Sequence, residues 1–265
     1  MMSDPISITD PQDPRIAPYM SIRERDLTGR RDGRFIVEGK VTLQVLLSRS
    51  RFKLESLLLA ENRLSVLADD LTTLPDAVPV YTAHQDMMDT IAGFPIHRGI
   101  LACARKGPPK SLNALLGGQT LLVLNEISNH DNVGAAFRNA AAFGADGIVL
   151  DERSCDPLYR KAIRVSAGTS LWLPFHHGGS GLDHINDLKA AGFDVWALTP
   201  RAEAEPLPPG PRPQKLAIML GAEGPGLPDA LIVQARAVRI PMRQDMDSLN
   251  VATAGAIALS HVYKD

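Results

Sequence analysis

The sequence RIPMRQDMDSLNVA (residues 239–252) follows the last apolar run of the chain and leads into a helix rich in small residues. A predicted strand over residues 237–241 ends in an irregular polar loop, and a helix is predicted over residues 248–262. Ser is a preferred N-cap residue, so Ser248 alone indicates only a helix start. Ser248 and Asn250 together are also placed to hydrogen-bond a ligand, and residues upstream are needed to weigh the two interpretations.

Upstream of this stretch, short apolar strands alternate with helices as far back as residue 118. Continuous apolar runs at residues 120–124 and 215–220 are typical of strands buried on both faces. The alternation predicts an α/β domain over residues 118–265, with a parallel sheet that helices cover on both faces. Residues 200–213 interrupt the pattern, because their prolines predict an irregular loop.

Three polar loops rich in Gly, Asn and Ser follow strands of this predicted sheet: residues 125–132, 221–227 and 242–250. The carboxyl ends of parallel strands share one edge, where such sheets bind ligands. Each loop has a structural explanation, since Asn132 can cap a helix, Glu223 can serve a turn and Arg138 can be a surface residue. Three such loops at one edge favour a ligand site. Small neighbours at Ala135 and Ala136 leave the Arg138 guanidinium accessible.

Composition and missing motifs exclude several classes of function. The chain has no G-x-G-x-x-G after a strand, no P-loop and no H-E-x-x-H, and its His residues lack partners at metal spacing, so we expect no metal site. Two cysteines, Cys103 and Cys155, indicate a reducing compartment. The N-terminus does not resemble a signal peptide, and no apolar run approaches the ~20 residues of a membrane span. We therefore expect a cytoplasmic protein that does not enter membranes.

The N-terminal part is predicted to form a flexible arm over residues 1–20 and a small α/β domain over residues 21–106, followed by a Pro- and Lys-rich linker. Basic residues exceed acidic ones between residues 23 and 53, although the whole chain has a net charge of -2. This local excess is compatible with a polyanion-binding surface and equally with an ordinary solvated face.

The three loops carry a resemblance. Asn132-Val133-Gly134 with Arg138, then LGAEGPGL (residues 220–227), then Ile240-Pro241-Met242 with SLNV (residues 248–251) are similar to the three motifs of the SpoU (TrmH) family of RNA ribose 2'-O-methyltransferases. They occur in that family's order and spacing. The N-terminal module, with Phe35-Ile36-Val37-Glu38-Gly39, resembles the substrate-binding domain of L30e/L7Ae type that many members carry.

The resemblance implies a SPOUT fold with a C-terminal trefoil knot, S-adenosylmethionine bound inside the knot, and a homodimer. It implies a cofactor site at Leu220, Gly221, Gly224, Ile240, Met242, Ser248 and Leu249. It implies catalytic or orienting roles for Arg138, Asn132, Glu223, Ser248 and Asn250. RNA would contact Arg138 and the basic residues Arg23, Arg30, Arg31 and Arg34.

The target within this family stays open. We favour ribosomal RNA, because the N-terminal module is of ribosomal-protein type. The alternatives are a ribose methyltransferase for transfer RNA, methylation of a base or another acceptor, and a non-methylating RNA-binding or ribosome-assembly protein with the same fold. Residues 243–247, which follow the Met of the third motif, depart from the small residues common in the family.

Overall fold

The structure is a computed structural model that describes residues 4–22, 33–243 and 245–263. It divides into two compact units, one of Met1–Pro108 with Leu158–Trp172 and one of Pro109–Pro157 with Leu173–Asp265. The predicted boundary at residue 118 had placed residues 158–172 in the C-terminal domain. They group with the first unit because the side chain of Arg160 pairs with the buried Glu38 there.

The first unit contains a mixed sheet with the strand order β1-β4-β3-β5-β2. Strands β1 and β3 run parallel to β4, whereas β2 and β3 run antiparallel to β5. Its strands are β1 (Ile6–Ser7), β2 (Arg34–Glu38), β3 (Lys53–Ala60), β4 (Val80–Ala83) and β5 (Ile100–Arg105). Its helices are α1 (Lys40–Ser48), α2 (Ala68–Thr72), α3 (Gln85–Ala92) and α5 (Arg160–Val165).

The prediction of a flexible arm over residues 1–20 is wrong. Strand β1 pairs with β4, and Ile16 and Tyr19 are fully buried. The Tyr19 hydroxyl lies 2.8 Å from Ser56 Oγ, so the buried ring also has a polar partner. The Pro- and Asp-rich composition obscured a few apolar residues that together bury enough surface to fix the segment.

In the second unit the described residues form a sheet in the order β10-β12-β9-β11-β6-β7-β8, with every pairing parallel. The predicted parallel α/β architecture is therefore confirmed. The strands are β6 (Thr120–Leu124), β7 (Gly147–Leu150), β8 (Phe175–His177), β9 (Asp194–Leu198), β10 (Glu205–Pro206), β11 (Leu216–Leu220) and β12 (Arg236–Arg239). The helices are α4 (His130–Ala142), α6 (Gly181–Ala190), α7 (Asp229–Ile232) and α8 (Val251–Val262).

Helices cover both faces of the parallel sheet, as predicted. Apolar residues of α6 and α7 pack with Leu121 and Val123 in one core cluster. On the opposite face α8 approaches so closely that a Cβ at Gly255 would come within 2.8 Å of the Leu220 side chain. Among the described residues, no helix is long and apolar enough to cross a membrane.

Several predicted element boundaries differ from those in the structure. The loop over residues 200–213 contains β10, which pairs with β12. A 3₁₀ turn, Thr169–Leu171, precedes β8. Helix α4 begins at His130, with Asn129 rather than Asn132 as its N-cap. Helix α8 begins three residues late, with Asn250 rather than Ser248 as its N-cap. In both cases two polar residues stand near the helix start, and the sequence alone does not rank them.

Candidate active site

The three polar loops meet at one edge of the second unit, because β6, β11 and β12 all run in the same direction. Three predicted site residues are joined there by hydrogen bonds. Asn250 Nδ2 donates to Asn132 Oδ1 at 2.9 Å and to Glu223 Oε1 at 2.9 Å. Asn132 is buried, whereas Glu223 and Asn250 are exposed. The amide of Asn250 thus connects the first, second and third loops.

The same amide also begins helix α8. Asn250 Oδ1 accepts hydrogen bonds from the backbone N–H groups of Ala252 and Thr253, at 3.0 and 3.2 Å. An amide side chain offers two N–H donors and one oxygen with two lone pairs. All of these are used, so the orientation of Asn250 is fixed by its surroundings and its oxygen takes the capping role predicted for Ser248.

Asn139 is a functional candidate that sequence reasoning missed. Its Nδ2 donates to the Ala252 carbonyl oxygen at 2.9 Å. Asn132 and Asn139 stand seven residues apart, which places them on the same face of α4. Both therefore contact the start of α8, and the seven-residue spacing of two Asn residues was the available signal.

A cavity of 320 Å³ opens beside this network. All seven residues predicted for the cofactor contribute to its wall: Leu220, Gly221, Gly224, Ile240, Met242, Ser248 and Leu249. Glu223 and Asn250 line it as well. Leu198, Thr199 and Pro200 also line the cavity and were missed, although they stand at the end of a strand of the same sheet. Parallel sheets bind ligands at the carboxyl ends of their strands, and this rule applies to the end of β9 as it does to the other three loops.

The loop over residues 221–227 is folded tightly on itself. Gly226 N donates to the Ala222 carbonyl at 3.0 Å, and a Cβ at Gly221 would come within 2.4 Å of backbone atoms of Gly226 and Leu227. Gly224 has a φ of 87°, in the left-handed region that favours glycine. Backbone groups rather than side chains therefore form much of this wall.

The buried carboxylate of Asp151 fixes the first polar loop through hydrogen bonds. Asp151 Oδ1 accepts hydrogen bonds from the backbone N–H groups of Glu126 and Ser154, at 3.0 and 2.9 Å, and from Ser154 Oγ at 2.6 Å. The Ile127 N–H in turn donates to Ser154 Oγ at 3.0 Å. Asp151 follows β7 directly, so its position at the end of a strand was a usable signal that we did not follow.

Arg138 lies apart from the hydrogen-bonded network. It is exposed on α4, and it is not part of the cavity wall. Among the described residues no side chain forms a hydrogen bond or ion pair with its guanidinium. The small residues Gly134 and Ala135 stand one turn earlier on the helix, so the cation remains accessible as the sequence indicated.

Of the residues of the first unit that were predicted to contact RNA, the structure describes only Arg34. Arg34 Nε pairs with Glu55 Oε2 at 2.6 Å, so its charge is balanced within the fold. Arg23, Arg30 and Arg31 lie outside the described residues. Among the residues that the structure does describe, no group of three or more His, Cys, Asp or Glu side chains could hold a metal ion.

Comparisons with known proteins agree with the motifs. Residues 119–260 match the model of the SpoU rRNA Methylase family. A tRNA/rRNA methyltransferase of Mycobacterium tuberculosis (strain CDC 1551 / Oshkosh), described as uncharacterized, is 38% identical over 261 residues, covering 95% of this chain and 89% of that protein. The 23S rRNA (guanosine-2'-O-)-methyltransferase RlmB of Acinetobacter baylyi is 30% identical over 193 residues, covering 70% and 78%.

Solved structures of similar fold cover nearly the whole chain. An rRNA methyltransferase from Sinorhizobium meliloti has a TM-score of 0.78 at 23% identity and covers 98% of both chains. The SpoU methyltransferase AviRb from Streptomyces viridochromogenes, in complex with AdoMet, has a TM-score of 0.78 at 22% identity and covers 95% of this chain and 97% of that one. These two structures support the fold.

The family model spans more than half of the chain, and the mycobacterial relative aligns with almost all of it. The predicted family is therefore confirmed, and with it the predicted class of enzyme and its cofactor. The chain belongs to the SpoU rRNA methylase family and is an RNA methyltransferase that uses S-adenosylmethionine.

Proposed function

We propose that this enzyme transfers the methyl group of S-adenosylmethionine to a ribose 2'-hydroxyl of ribosomal RNA. The observation that carries the proposal is the junction of Asn132, Glu223 and Asn250 beside a cavity lined by apolar side chains and by the glycine-rich loop after β11. The relative RlmB is named for 2'-O-methylation of guanosine in 23S rRNA, which supports the ribose and the ribosomal target. We expect the reaction in the cytoplasm.

The cavity has the chemistry that an adenosyl group requires. Apolar side chains at Leu220, Ile240 and Leu249 can enclose the flat ring, and the backbone of residues 221–226 offers donors and acceptors for its edges. Glu223 adds a carboxylate at the wall, which favours a cationic sulfonium nearby. When bound there, S-adenosylmethionine supplies an electrophilic methyl group. We propose that the chain around this site follows the trefoil-knotted path implied by the motifs.

The roles of the polar side chains follow from which of their hydrogen-bonding groups are already used within the protein. The Asn250 amide is fully hydrogen-bonded within the protein, so we assign it a positioning role that holds Asn132 and Glu223 in place. Ser248 lines the cavity and is assigned to orienting the substrate ribose. Positioning alone can supply much of the rate of an in-line displacement.

Arg138 is assigned to the RNA. A guanidinium stays protonated at working pH and is a poor general base. It can instead bind the phosphate beside the target ribose and stabilise the negative charge that develops on the 2'-oxygen. The proton then passes toward the RNA phosphate. Arg138 lies outside the cavity wall, which is compatible with a contact to RNA rather than to the cofactor. We also propose a homodimer, which rests on the family motifs.

A second candidate is a protein of the same fold that binds RNA without methylating it. The intact set of Asn132, Arg138, Glu223 and Asn250 disfavours it, since mere RNA binding does not require this constellation. A transfer RNA target remains the alternative substrate. Several of the matched proteins are named tRNA/rRNA methyltransferases, and that name does not distinguish between the two RNAs.

Arg138→Ala and Arg138→Lys test the assignment. We expect methyl transfer to fall by a factor on the order of 100–1,000 in both, because Lys lacks the planar fork of Arg. Calorimetric affinity for S-adenosylmethionine should not change. Arg236→Ala removes another exposed cation of the same unit, one that pairs with Glu205, and should leave the rate intact. A wild-type rate in folded Arg138→Ala would contradict the assignment.

The target is identified by mapping 2'-O-methyl groups in cells with and without the gene. A 2'-O-methyl group protects the adjacent phosphodiester from alkaline cleavage, so a missing modification appears as a new cleavage. Loss of one protected position in ribosomal RNA is the expected result. Loss confined to transfer RNA would reject the ribosomal target, and an unchanged pattern in both would reject ribose methylation.

A further inference from the structure

The first unit presents a basic and aromatic surface, which we call the RSRFK patch: Arg49, Arg51, Phe52, Lys53 and Trp172. Residues 49–52 connect α1 to β3, Lys53 begins β3, and Trp172 follows the 3₁₀ turn Thr169–Leu171. Arg49, Arg51 and Lys53 are exposed, and the two aromatic residues are half-buried. Five side chains from two distant parts of the sequence therefore share this surface.

The aromatic rings of the patch are layered with guanidinium groups. The guanidinium carbon of Arg49 lies 4.0 Å from the centroid of the Trp172 ring, and that of Arg51 lies 4.7 Å from the Phe52 ring. Phe52 packs edge-on against Phe35, with the ring centroids 5.2 Å apart. Flat cationic groups stacked on aromatic faces offer further flat surfaces for stacking.

The two segments that form the patch are tied to each other. The Arg51 N–H donates to the Leu171 carbonyl at 3.3 Å. Gly168 packs so closely on α1 that a Cβ there would come within 3.0 Å of the Val45 side chain. Because a backbone hydrogen bond and a close packing contact hold the two segments together, the aromatic rings are positioned before any ligand arrives, which lowers the entropy cost of binding.

Two cations of the patch, Arg49 and Lys53, differ from other cationic side chains of the unit, whose charges are balanced by carboxylates. Arg34 and Arg105 share Glu55, and Arg160 and Arg164 share Glu38. Among the described residues no carboxylate forms an ion pair with Arg49 or Lys53. The charges of Arg49 and Lys53 therefore remain able to attract an anionic partner.

We propose that the RSRFK patch binds single-stranded RNA, with bases stacking on the Arg49–Trp172 layer and phosphates contacting Arg51 and Lys53. Stacking requires bases that are not already stacked in a duplex, which is why the partner is a single strand. That the nucleic acid is RNA rests on the proposed function. The patch on the first unit would then hold a loop or unpaired segment of the substrate, while the second unit carries the methyl-transfer site.

Trp172 itself reports on the proposal, because the chain has two Trp residues and the second, Trp196, is buried. In a full-length Trp196→Phe protein, a short single-stranded RNA of mixed sequence should change the fluorescence of Trp172 saturably. A duplex RNA of the same length should bind more weakly. Unchanged Trp172 fluorescence at saturating RNA, or tighter binding of the duplex, would overturn the proposal.

Affinity measured by anisotropy gives an independent test with the natural tryptophans in place. Arg49→Ala/Arg51→Ala should weaken the binding of single-stranded RNA by about tenfold or more. It should also flatten the dependence of log affinity on log salt, by about 0.7 for each phosphate that the variant no longer neutralises. Arg15→Ala/Arg236→Ala removes the same number of exposed cations, both paired with carboxylates, and should bind RNA like the wild type.

The outcomes separate this proposal from the proposed function. Arg49→Ala/Arg51→Ala should raise KM for RNA while kcat at saturating RNA and the affinity for S-adenosylmethionine stay unchanged. If the variant matches the wild type in RNA affinity and KM, the patch is refuted and the methyl transfer stands. If Trp172 responds to RNA but no ribose is methylated, the patch stands and the proposed reaction fails. Equal affinity for a polyglutamate peptide would refute RNA as the partner.

Discussion

The two sheets of this protein arrange their loops in opposite ways. In the second unit all described strand pairings are parallel, so the loops after β6, β9, β11 and β12 collect at one edge, and the last three of them line a cavity. In the first unit β5 runs antiparallel to β2 and β3, so connecting segments are divided between the two edges. In the parallel sheet, the loops after several strands bring backbone groups together at one edge. In the mixed sheet the connecting segments are divided between two edges, so contact with a ligand is left to exposed side chains.

The two units also differ in the atoms that form their proposed binding sites. The cavity wall combines the tightly folded backbone at Gly221 with apolar side chains and with Asn250, whose side chain is fixed by hydrogen bonds. The RSRFK patch consists of long cationic side chains on aromatic rings. Substitutions that add or remove a few atoms should therefore damage the second unit severely, while the first unit should respond mainly to changes of charge.

Gly221→Ala should have the largest effect. The added Cβ would fall within 2.4 Å of backbone atoms of Gly226 and Leu227, so the loop must shift. Because this loop forms part of the cavity wall, its displacement is expected to weaken the binding of S-adenosylmethionine, and a displacement of about 1 Å is expected to lower the methyl-transfer rate roughly a hundredfold. Isothermal titration calorimetry measures the change in affinity, and a methyl-transfer assay measures the change in rate.

The matched control for this substitution is Gly117→Ala. No described heavy atom outside the neighbouring residues lies within 4 Å of a Cβ at Gly117, so the same added methyl group should be tolerated. Equal cofactor affinity in Gly221→Ala and Gly117→Ala would contradict the view that the backbone shape of residues 221–227 defines the site.

Asn250→Ala should have the next largest effect, because one side chain performs two tasks. Loss of the α8 cap costs about 1 kcal/mol, and leaving the buried Asn132 oxygen without its donor costs about 1–3 kcal/mol. Asn250→Asp retains the capping oxygen but removes both donors and sets a carboxylate against Glu223. Comparing the two variants by chemical denaturation and by methyl-transfer rate separates capping from the network.

Ser180→Ala provides the comparison for a cap that has no neighbouring site. Ser180 Oγ accepts from the Asp183 N–H at the start of α6, so its loss should cost about 1 kcal/mol and leave the methyl-transfer rate unchanged. If Asn250→Asp is as active as Ser180→Ala, the junction of the three loops has no role beyond stability.

Sequence reasoning succeeded where one physical signal dominates. The apolar runs at β6 and β11 identified buried parallel strands, because central strands of such a sheet leave no face for polar residues. The rule that ligands bind at the carboxyl ends of parallel strands identified the edge of the sheet. The individual residues of the cavity wall came from the resemblance to the SpoU (TrmH) family motifs.

It failed where long-range packing decides between local options. Residues 158–172 have the pattern of an ordinary helical connection, and their pairing with Glu38 in the first unit leaves no local trace in the sequence. The N-terminal segment was predicted wrongly because Ile16 and Tyr19 stand among prolines. Asn250 was not ranked above Ser248 as a cap, because the partners that fix it, Asn132 and Glu223, lie far away in the chain.

The smallest expected effect concerns the charges of the first unit. Burial raises the pKa of the Glu55 carboxyl, but hydrogen bonds from Arg34 and Arg105 lower it by more, so the net pKa lies below its usual 4.5. A depressed folded-state pKa contributes stability that is fully present above the unfolded pKa and is lost as pH falls through the folded value.

Glu55→Gln should therefore lower the melting temperature slightly at pH 7, by the equivalent of about 1 kcal/mol at most. The difference from the wild type should vanish in acid, whereas Glu203→Gln, an exposed carboxylate of the second unit, should show little difference at either pH. A difference for Glu55→Gln that persists or grows in acid would mean that packing, not charge, governs this part of the first unit.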